Sequence, residues 1–264
     1  MNFEIICNRV VALEKEVRLF IQKERETFSM NKLETKGLHD FVSYVDKTSE
    51  KMLVKGLYDI LPEASFIAEE GTIKHKEAEY QWIIDPLDGT TNFVHGISPY
   101  AISIALMEKD VVVMGVVLEC SLNECFYAWK NSNAYLNGKE IKVSSAPTIN
   151  DSLVATGFPY YDFTKMTAYL SSLEYFMKES HGIRRLGSAA TDLVYVAAGR
   201  FELFYEYSLQ PWDVAAGAFI VQQAGGRVSD FQGKNNFIFG KQIIATNAMI
   251  FDESLERINN YFEK

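Results

Sequence analysis

Residues 82–93 read Trp82-Ile83-Ile84-Asp85-Pro86-Leu87-Asp88-Gly89-Thr90-Thr91-Asn92-Phe93. The apolar run before Asp85 predicts a buried strand, and Pro86, with no N–H to give to a ladder, turns the chain. Asp85 and Asp88 then stand three apart across a tight turn, and Gly89 permits close backbone approach. Two carboxylates and the Leu87 carbonyl can converge on one point, and hard oxygen ligands of that kind suit Mg²⁺. Asp88-Gly89-Thr90-Thr91 also reads as a helix start, whose free N–H groups can face an anion. On its own the segment reads equally well as an Asx-turn leading into a capped helix.

The flanking sequence adds carboxylates. Upstream, Ser65–Ala68 is a short apolar strand that runs into Glu69-Glu70. Open sheets place their sites at such C-terminal strand ends. Asp46 lies on an amphipathic helix expected from about Ser43 to Leu61, stopped by Pro62. Further along, Glu206 ends the strand Phe204-Tyr205-Glu206, and Asp213 opens an apolar helix in Gln210-Pro211-Trp212-Asp213-Val214-Ala215-Ala216-Gly217. Singly, each acid has an ordinary reading: a helix N-terminal acid, a solvated strand end, a surface helix acid. Together they suggest a cation site.

The remaining elements frame this set. Phe3, Ile6, Val10, Leu13, Val17 and Phe20 alternate at spacings of three and four, which predicts an amphipathic packing helix with Glu14 and Lys15 on its polar faces. Thr27 to Phe41 loses that periodicity and reads as a loop carrying Lys36 and His39. Strands are predicted at 100–107, 111–119 and 124–130, with a turn at Glu108-Lys109-Asp110 and another at Asn137-Gly138. Polar Ser144–Asn150 is the best internal boundary. Beyond it, strands near 153–156, 183–185, 201–205, 227–229 and 243–245 alternate with helices near 164–179, 188–199, 212–224 and 248–262, an α/β rhythm. The expectation is one domain over residues 1–264, with an α+β subdomain at 1–145 and an α/β subdomain at 146–264.

Composition excludes several classes. A chain of 264 residues with 48% hydrophobic and 23% charged residues is an ordinary globular one. Its 35 acids against 26 bases give a net charge of −9, which disfavours a long electrostatic grip on nucleic acid, so no direct nucleic-acid partner is expected. Cys7, Cys120 and Cys125 have no framework spacing and read as buried thiols. The N-terminal segment lacks the unbroken apolar core of a signal peptide, and no window is apolar enough to span a membrane. A cytoplasmic, membrane-free protein is expected. His39, His75 and His181 read as exposed loop residues and His95 as a helix-end residue.

The assembled motifs resemble the inositol monophosphatase family of lithium-sensitive, magnesium-dependent phosphatases. Ile67-Ala68-Glu69-Glu70 with Trp82–Phe93 matches its first motif. Pro211-Trp212-Asp213-Val214-Ala215-Ala216-Gly217-Ala218, with Gln223-Ala224-Gly225-Gly226, matches its second. Arg185-Leu186-Gly187-Ser188-Ala189-Ala190 matches a weaker third. The resemblance runs from about Lys36 to Gly226. It implies a layered α-β-α-β-α sandwich of the sugar-phosphatase type and a homodimer.

The resemblance also implies roles. Glu70, Asp85 and the Leu87 carbonyl would hold one Mg²⁺, and Asp85, Asp88 and Asp213 a second; a third, weaker ion would share Glu70. Thr90 and Asp46, with Glu70, would position and deprotonate the attacking water, so that no covalent phosphoenzyme forms. Gly89, Thr90, Thr91 and Asp213 would contact the phosphate end of the substrate, and Ala189 and Glu206 its hydroxyls. Lys36 would be a loop contact near the metal waters, and Glu69 would stand behind the ligands. The implied reaction is hydrolysis of myo-inositol 1- (or 4-) monophosphate with two to three Mg²⁺, inhibited by Li⁺. Thr90-Thr91-Asn92-Phe93 resembles inositol monophosphatases, whereas nucleotide 3′-phosphatase relatives carry Thr-Lys-Glu-Phe. Fructose 1,6-bisphosphate, adenosine 3′,5′-bisphosphate and other sugar or polyol phosphates are alternative substrates. A regulatory binding protein of the same family is the alternative from another class.

Overall fold

The computed structural model describes residues 1–28, 33–37, 40–71, 78–159 and 162–262; over 33–37 and 40–43 it describes the backbone alone. The chain opens with α1 (Phe3–Thr27), followed by β1 (Leu33–Gly37), β2 (Asp40–Ser43), α2 (Tyr44–Ile60), β3 (Ser65–Ala68), β4 (Tyr80–Asp88) and α3 (Thr90–His95). Then come β5 (Ala101–Glu108), β6 (Val111–Glu119), β7 (Glu124–Trp129), β8 (Ala134–Leu136) and β9 (Lys139–Ile141). The last stretch holds β10 (Leu153–Thr156), α4 (Met166–Glu179), β11 (Gly182–Arg184), α5 (Ala189–Ala197), β12 (Leu203–Tyr207), α6 (Pro211–Gln223), β13 (Arg227–Ser229), β14 (Gln242–Thr246) and α7 (Phe251–Phe262).

Two sheets organise these elements. The larger has strand order β3-β4-β5-β6-β7-β8-β9; β3 and β4 are parallel and the rest antiparallel. The smaller has order β11-β10-β12-β14-β13, parallel across its first three strands and antiparallel beyond. α1 and α2 cover one face of the larger sheet around Val10, Val17, Leu53, Trp82 and Ile84. α5 and α6 fill the space between the sheets, and α4 and α7 pack on the outer face of the smaller one. The layers are therefore α-β-α-β-α, as the resemblance implied. Small residues make the middle layer thin: a Cβ on Gly115 of β6 would stand 2.6 Å from the Ala216 carbonyl of α6.

Several boundaries differ from the sequence reading. The stretch expected to be a loop holds the antiparallel β1–β2 pair, so Lys36 lies on a strand, not in a loop. Its short strands carry no alternating apolar pattern, which is why they escaped notice. α1 runs on to Thr27, capped at its start by Asn2, whose side chain accepts from the Ile5 N–H. Its buried stripe is also rotated. Glu14 is fully buried, whereas Leu13 is half-buried against Gly56 of α2. At 3.6 residues per turn the inward face runs Val10, Glu14, Val17, Ile21.

The sharpest difference is at Pro86. β4 continues through it to Asp88, and the register with β5 shifts between Asp85↔Ser103 and Asp88↔Ala101. Strict alternation would put Asp85 and Asp88 on opposite faces. The irregularity instead sends Leu87 into the core beside Trp82 and Ile84 and leaves both aspartates on the other side, a use of bulged strands that recurs next to active sites.

All three cysteines are buried, and burial raises their thiol pKa values. Among the described residues no helix is long and apolar enough to cross a membrane. His95 is the exposed last residue of α3, and His181 is exposed before β11; His39 and His75 lie outside the described residues.

Candidate active site

A cleft of about 460 Å³ opens where the ends of β4 and β12 meet the starts of α3, α5 and α6. Its lining includes Asp85, Leu87, Asp88, Gly89, Thr90 and Thr91. Ala189, Glu206 and Asp213 line it from the other elements. Carboxylate oxygens of Asp85, Asp88 and Asp213 lie within 4.8 Å of one another.

Each of these aspartates uses one oxygen to secure the fold. Asp85 Oδ1 accepts from the Leu87 N–H at 2.9 Å. Asp88 Oδ2 accepts from the Ser188 hydroxyl at 2.5 Å and the Ala190 N–H at 2.8 Å. Asp213, in the first turn of α6, accepts at Oδ2 from the Gln210 N–H at 2.7 Å, one arm of a capping box. Asp85 is also hydrogen-bonded to the Glu69 side chain, and Asp88 also accepts from the Ala189 N–H.

The Thr90 hydroxyl lies 2.8 Å from Asp46 Oδ1 and 3.0 Å from the Leu87 carbonyl. Asp46 is fully buried in the first turn of α2, so it is not the surface acid that its helix pattern suggests. Gly89 caps α3 at φ +86°, and a Cβ there would stand 3.1 Å from the carbonyls of both Pro99 and Gly187. Asn92 ties the segment down, donating to the Pro99 and Leu186 carbonyls at 2.7 and 2.8 Å. The first and third motifs thus meet through a side chain with no chemistry of its own.

One expected position is corrected. Glu69, not Glu70, lines the cleft. β3 pairs with β4 in parallel, Ala68 opposite Ile84, and the Glu69 N–H still bonds the Ile84 carbonyl. Glu69 is thereby carried alongside Asp85. At Glu70 the chain has turned, and its N–H donates to Glu50 Oε2 at 2.7 Å. Lys36 lies on the backbone-only strand β1, so its expected contact falls outside the described side chains.

The electrostatics are those of crowded, buried carboxyl groups. Burial, then the negative charges of Glu69, Asp88 and Asp213, hold Asp85 well above the ordinary carboxylate range. Glu69 is raised by burial and then by Asp213 and Asp46. Burial lifts Asp213 to about 7, with Asp88 adding to it, and lifts Asp88 to about 6 against the hydrogen bonds it accepts. Glu69, Asp88 and Asp213 keep some exposure through the cleft mouth while protein atoms surround them. Crowded carboxylates of this kind are relieved by a cation, and an all-oxygen donor set fits Mg²⁺.

Arg185, Asp192 and Gly157 also line the cleft, and the sequence reading gave them no role there. Arg185 is half-buried in the cleft wall, its guanidinium carbon 5.3 Å from the centre of the Phe158 ring, whereas Arg184 is exposed. Asp192 is almost fully buried in α5; the signal available was a charge at the start of the apolar run Leu193–Ala198. Gly157 faces Glu206 so closely that a Cβ would stand 1.9 Å from its carboxylate, so only glycine leaves room for that side chain.

Comparison with known proteins agrees with this geometry. The inositol monophosphatase family model matches residues 6–263. The putative Nus factor SuhB of Neisseria meningitidis serogroup B is 43% identical over 229 residues, 86% of this chain and 88% of that one. A fructose-1,6-bisphosphatase/inositol-1-monophosphatase of Thermotoga maritima is 40% identical over 228 residues, covering 86% of each chain. Among solved structures, the extragenic suppressor protein suhB of Bartonella henselae superposes with a TM-score of 0.89 at 37% identity, over 95% of this chain and 97% of that one. On the family match and these identities, the chain belongs to the inositol monophosphatase family.

Proposed function

We propose that this protein is a Mg²⁺-dependent phosphate monoester hydrolase whose substrate is a sugar or polyol monophosphate, with myo-inositol 1-phosphate or 4-phosphate foremost. One observation carries the reading: three aspartates bring carboxylate oxygens within 4.8 Å of one another beside the Thr90–Asp46 pair. Glu69, Asp85, the Leu87 carbonyl, Asp88 and Asp213 are the groups that would hold Mg²⁺. Bound metal would offset charge on the phosphoryl oxygens and acidify the attacking water.

The chain's own residues do the rest. The Thr90 hydroxyl donates a hydrogen bond to Asp46, which leaves Thr90 Oγ1 with a lone pair to accept from a water in the cleft. That water is held in one orientation, and as it attacks its proton passes to Thr90 Oγ1 while the Thr90 proton passes to Asp46, one proton in all. The N–H groups of Thr90 and Thr91, at the start of α3, have no intrahelical partner and face the phosphate. Glu206 accepts from a substrate hydroxyl, with Ala189 beside it. Fructose 1,6-bisphosphate and adenosine 3′,5′-bisphosphate are the alternatives for the same chemistry.

The deciding experiment measures phosphate release from inositol 1-phosphate. Activity is expected to vanish with EDTA, return with Mg²⁺ and fall in millimolar Li⁺. Turnover indifferent to EDTA would refute the reading. A homodimer belongs to the same proposal and is checked by light scattering.

A second reading has a specific motive. The relatives from Neisseria, Pseudomonas aeruginosa and Escherichia coli are named Nus factors or putative Nus factors. The expectation of no nucleic-acid partner is therefore not retained, and a regulatory role beside catalysis is the second proposal. Gel-shift titration against RNA separates the two: a shift that persists in Asp88→Asn would place binding outside the catalytic cleft.

A further inference from the structure

Beyond the clustered aspartates, the cleft is lined by Gly157, Arg185, Asp192 and Glu206. Asp192 is 1% exposed, and its Oδ1 has no hydrogen-bond partner. A buried oxygen left in that state is costly, and a donor arriving through the cleft would relieve it. The cap of α5 does not draw on this carboxylate. α5 is capped by Ser188, whose side chain accepts from the Thr191 N–H at 3.3 Å. Asp192 follows Ala190 by two residues, and Ala190 itself holds Asp88. The helix therefore sets Asp192 on the cleft wall in fixed relation to the clustered aspartates. The charged groups acting on it are Glu206, Asp88 and Arg185.

We infer that Asp192 determines specificity for the leaving group: with Glu206 it forms a two-carboxylate wall that accepts hydrogen bonds from polyol hydroxyls and disfavours a leaving group carrying a second phosphate. The inference rests on the phosphatase reading above. Asp88 acts on both carboxyl groups and Asp213 on Glu206, against the single guanidinium of Arg185, so the wall stands in a field of negative excess. An uncharged hydroxyl is a donor such a wall can satisfy, whereas a second phosphate meets like charge. Rejection of this kind is as much a part of specificity as attraction. The bare glycine at 157 keeps the Glu206 half of the wall open, and Asp192 supplies the other half from a different element.

The test compares wild type with Asp192→Asn, at saturating Mg²⁺, on inositol 1-phosphate, fructose 1,6-bisphosphate and p-nitrophenyl phosphate. The last has no hydroxyl for the wall to bind. Asp192→Asn is expected to lose about 10-fold or more in kcat/KM on inositol 1-phosphate. Its activity on p-nitrophenyl phosphate should stay within about 3-fold, and its preference for the bisphosphate over inositol phosphate should rise. Asp192→Ala, with melting curves for both variants, guards against a folding defect. Equal changes on all three substrates, or none, would overturn the role of Asp192 while leaving the phosphatase reading intact. A folded wild type that hydrolyses none of the three in Mg²⁺ would overturn both.

Discussion

The Thr90 hydroxyl and the Asp46 carboxylate, 44 positions apart in sequence, lie 2.8 Å apart at the base of the cleft. The pair joins the start of α3 to the start of α2, and the Leu87 carbonyl is 3.0 Å from the same hydroxyl. Removing either member should break one unit, not two. Thr90→Ala and Asp46→Asn are each expected to lower phosphate release by about 10²–10⁴-fold. The double variant should be little worse than either single one, because groups that act together are not additive. Steady-state rates with melting temperatures check this. Fully additive losses would mean that the two residues act separately.

Glu69 and Glu70 are neighbours with opposite surroundings. Glu69 stays in the parallel ladder beside Asp85, whereas Glu70 has turned toward Glu50. Glu69→Gln is expected to raise the Mg²⁺ concentration for half-maximal activity by about 10-fold or more, and Glu70→Gln to change it far less. Mg²⁺ titrations of the two variants decide which glutamate serves the cleft. An effect confined to Glu70→Gln would reverse the assignment.

The same pair shows what the sequence could reveal. That a glutamate at the end of β3 would meet the aspartates after Ile84 was legible, because apolar runs ending in acids mark strand ends. Which glutamate faces the cleft depends on the β3–β4 register, and no local pattern encodes a register. The bulge at Pro86 is similar: the proline announced a break, but only the pairing with Ser103 and Ala101 shows that the break realigns Asp85 with Asp88. Helix and strand positions were legible from periodicity because burial imposes it directly, whereas the layer order was implied by the family resemblance alone. Asp192 was not legible, since one acid in an apolar helix reads as a helix-start residue until the cleft beside it is seen.

The crowded carboxylates make stability depend on pH in a defined direction. Burial raises Asp88 from 3.8 to about 6 and Asp213 from 3.8 to about 7. Between those limits the folded chain binds more protons than the unfolded one, so stability falls as pH rises through the window. Below 3.8 the contribution is complete, and above 7 it is gone. Mg²⁺ favours the ionised carboxylates and should remove the dependence. In EDTA the melting temperature is expected to be higher at pH 5 than at pH 8, with the gap closing in saturating Mg²⁺. A gap of the same size with and without Mg²⁺ would separate it from these aspartates.

Glu14 offers a test far from the cleft. It is fully buried on the inward face of α1, and neither carboxylate oxygen has a hydrogen-bond partner. Leu13 takes the place against Gly56 on α2, which turns Glu14 inward. Desolvation raises its pKa well above the ordinary glutamate value. A raised carboxylate pKa stabilises the fold only below the unfolded value, and the contribution is lost as pH climbs through the folded one. An unpaired buried polar group costs about 1–3 kcal/mol, and an apolar side chain of similar length avoids that cost. Glu14→Met should therefore raise the melting temperature, by more at pH 8 than at pH 5. Phosphatase activity should not change, because Glu14 lies on the opposite side of the larger sheet from the middle layer that frames the cleft. A Glu14→Met protein less stable than wild type at pH 8 would show that Glu14 has a partner in solution.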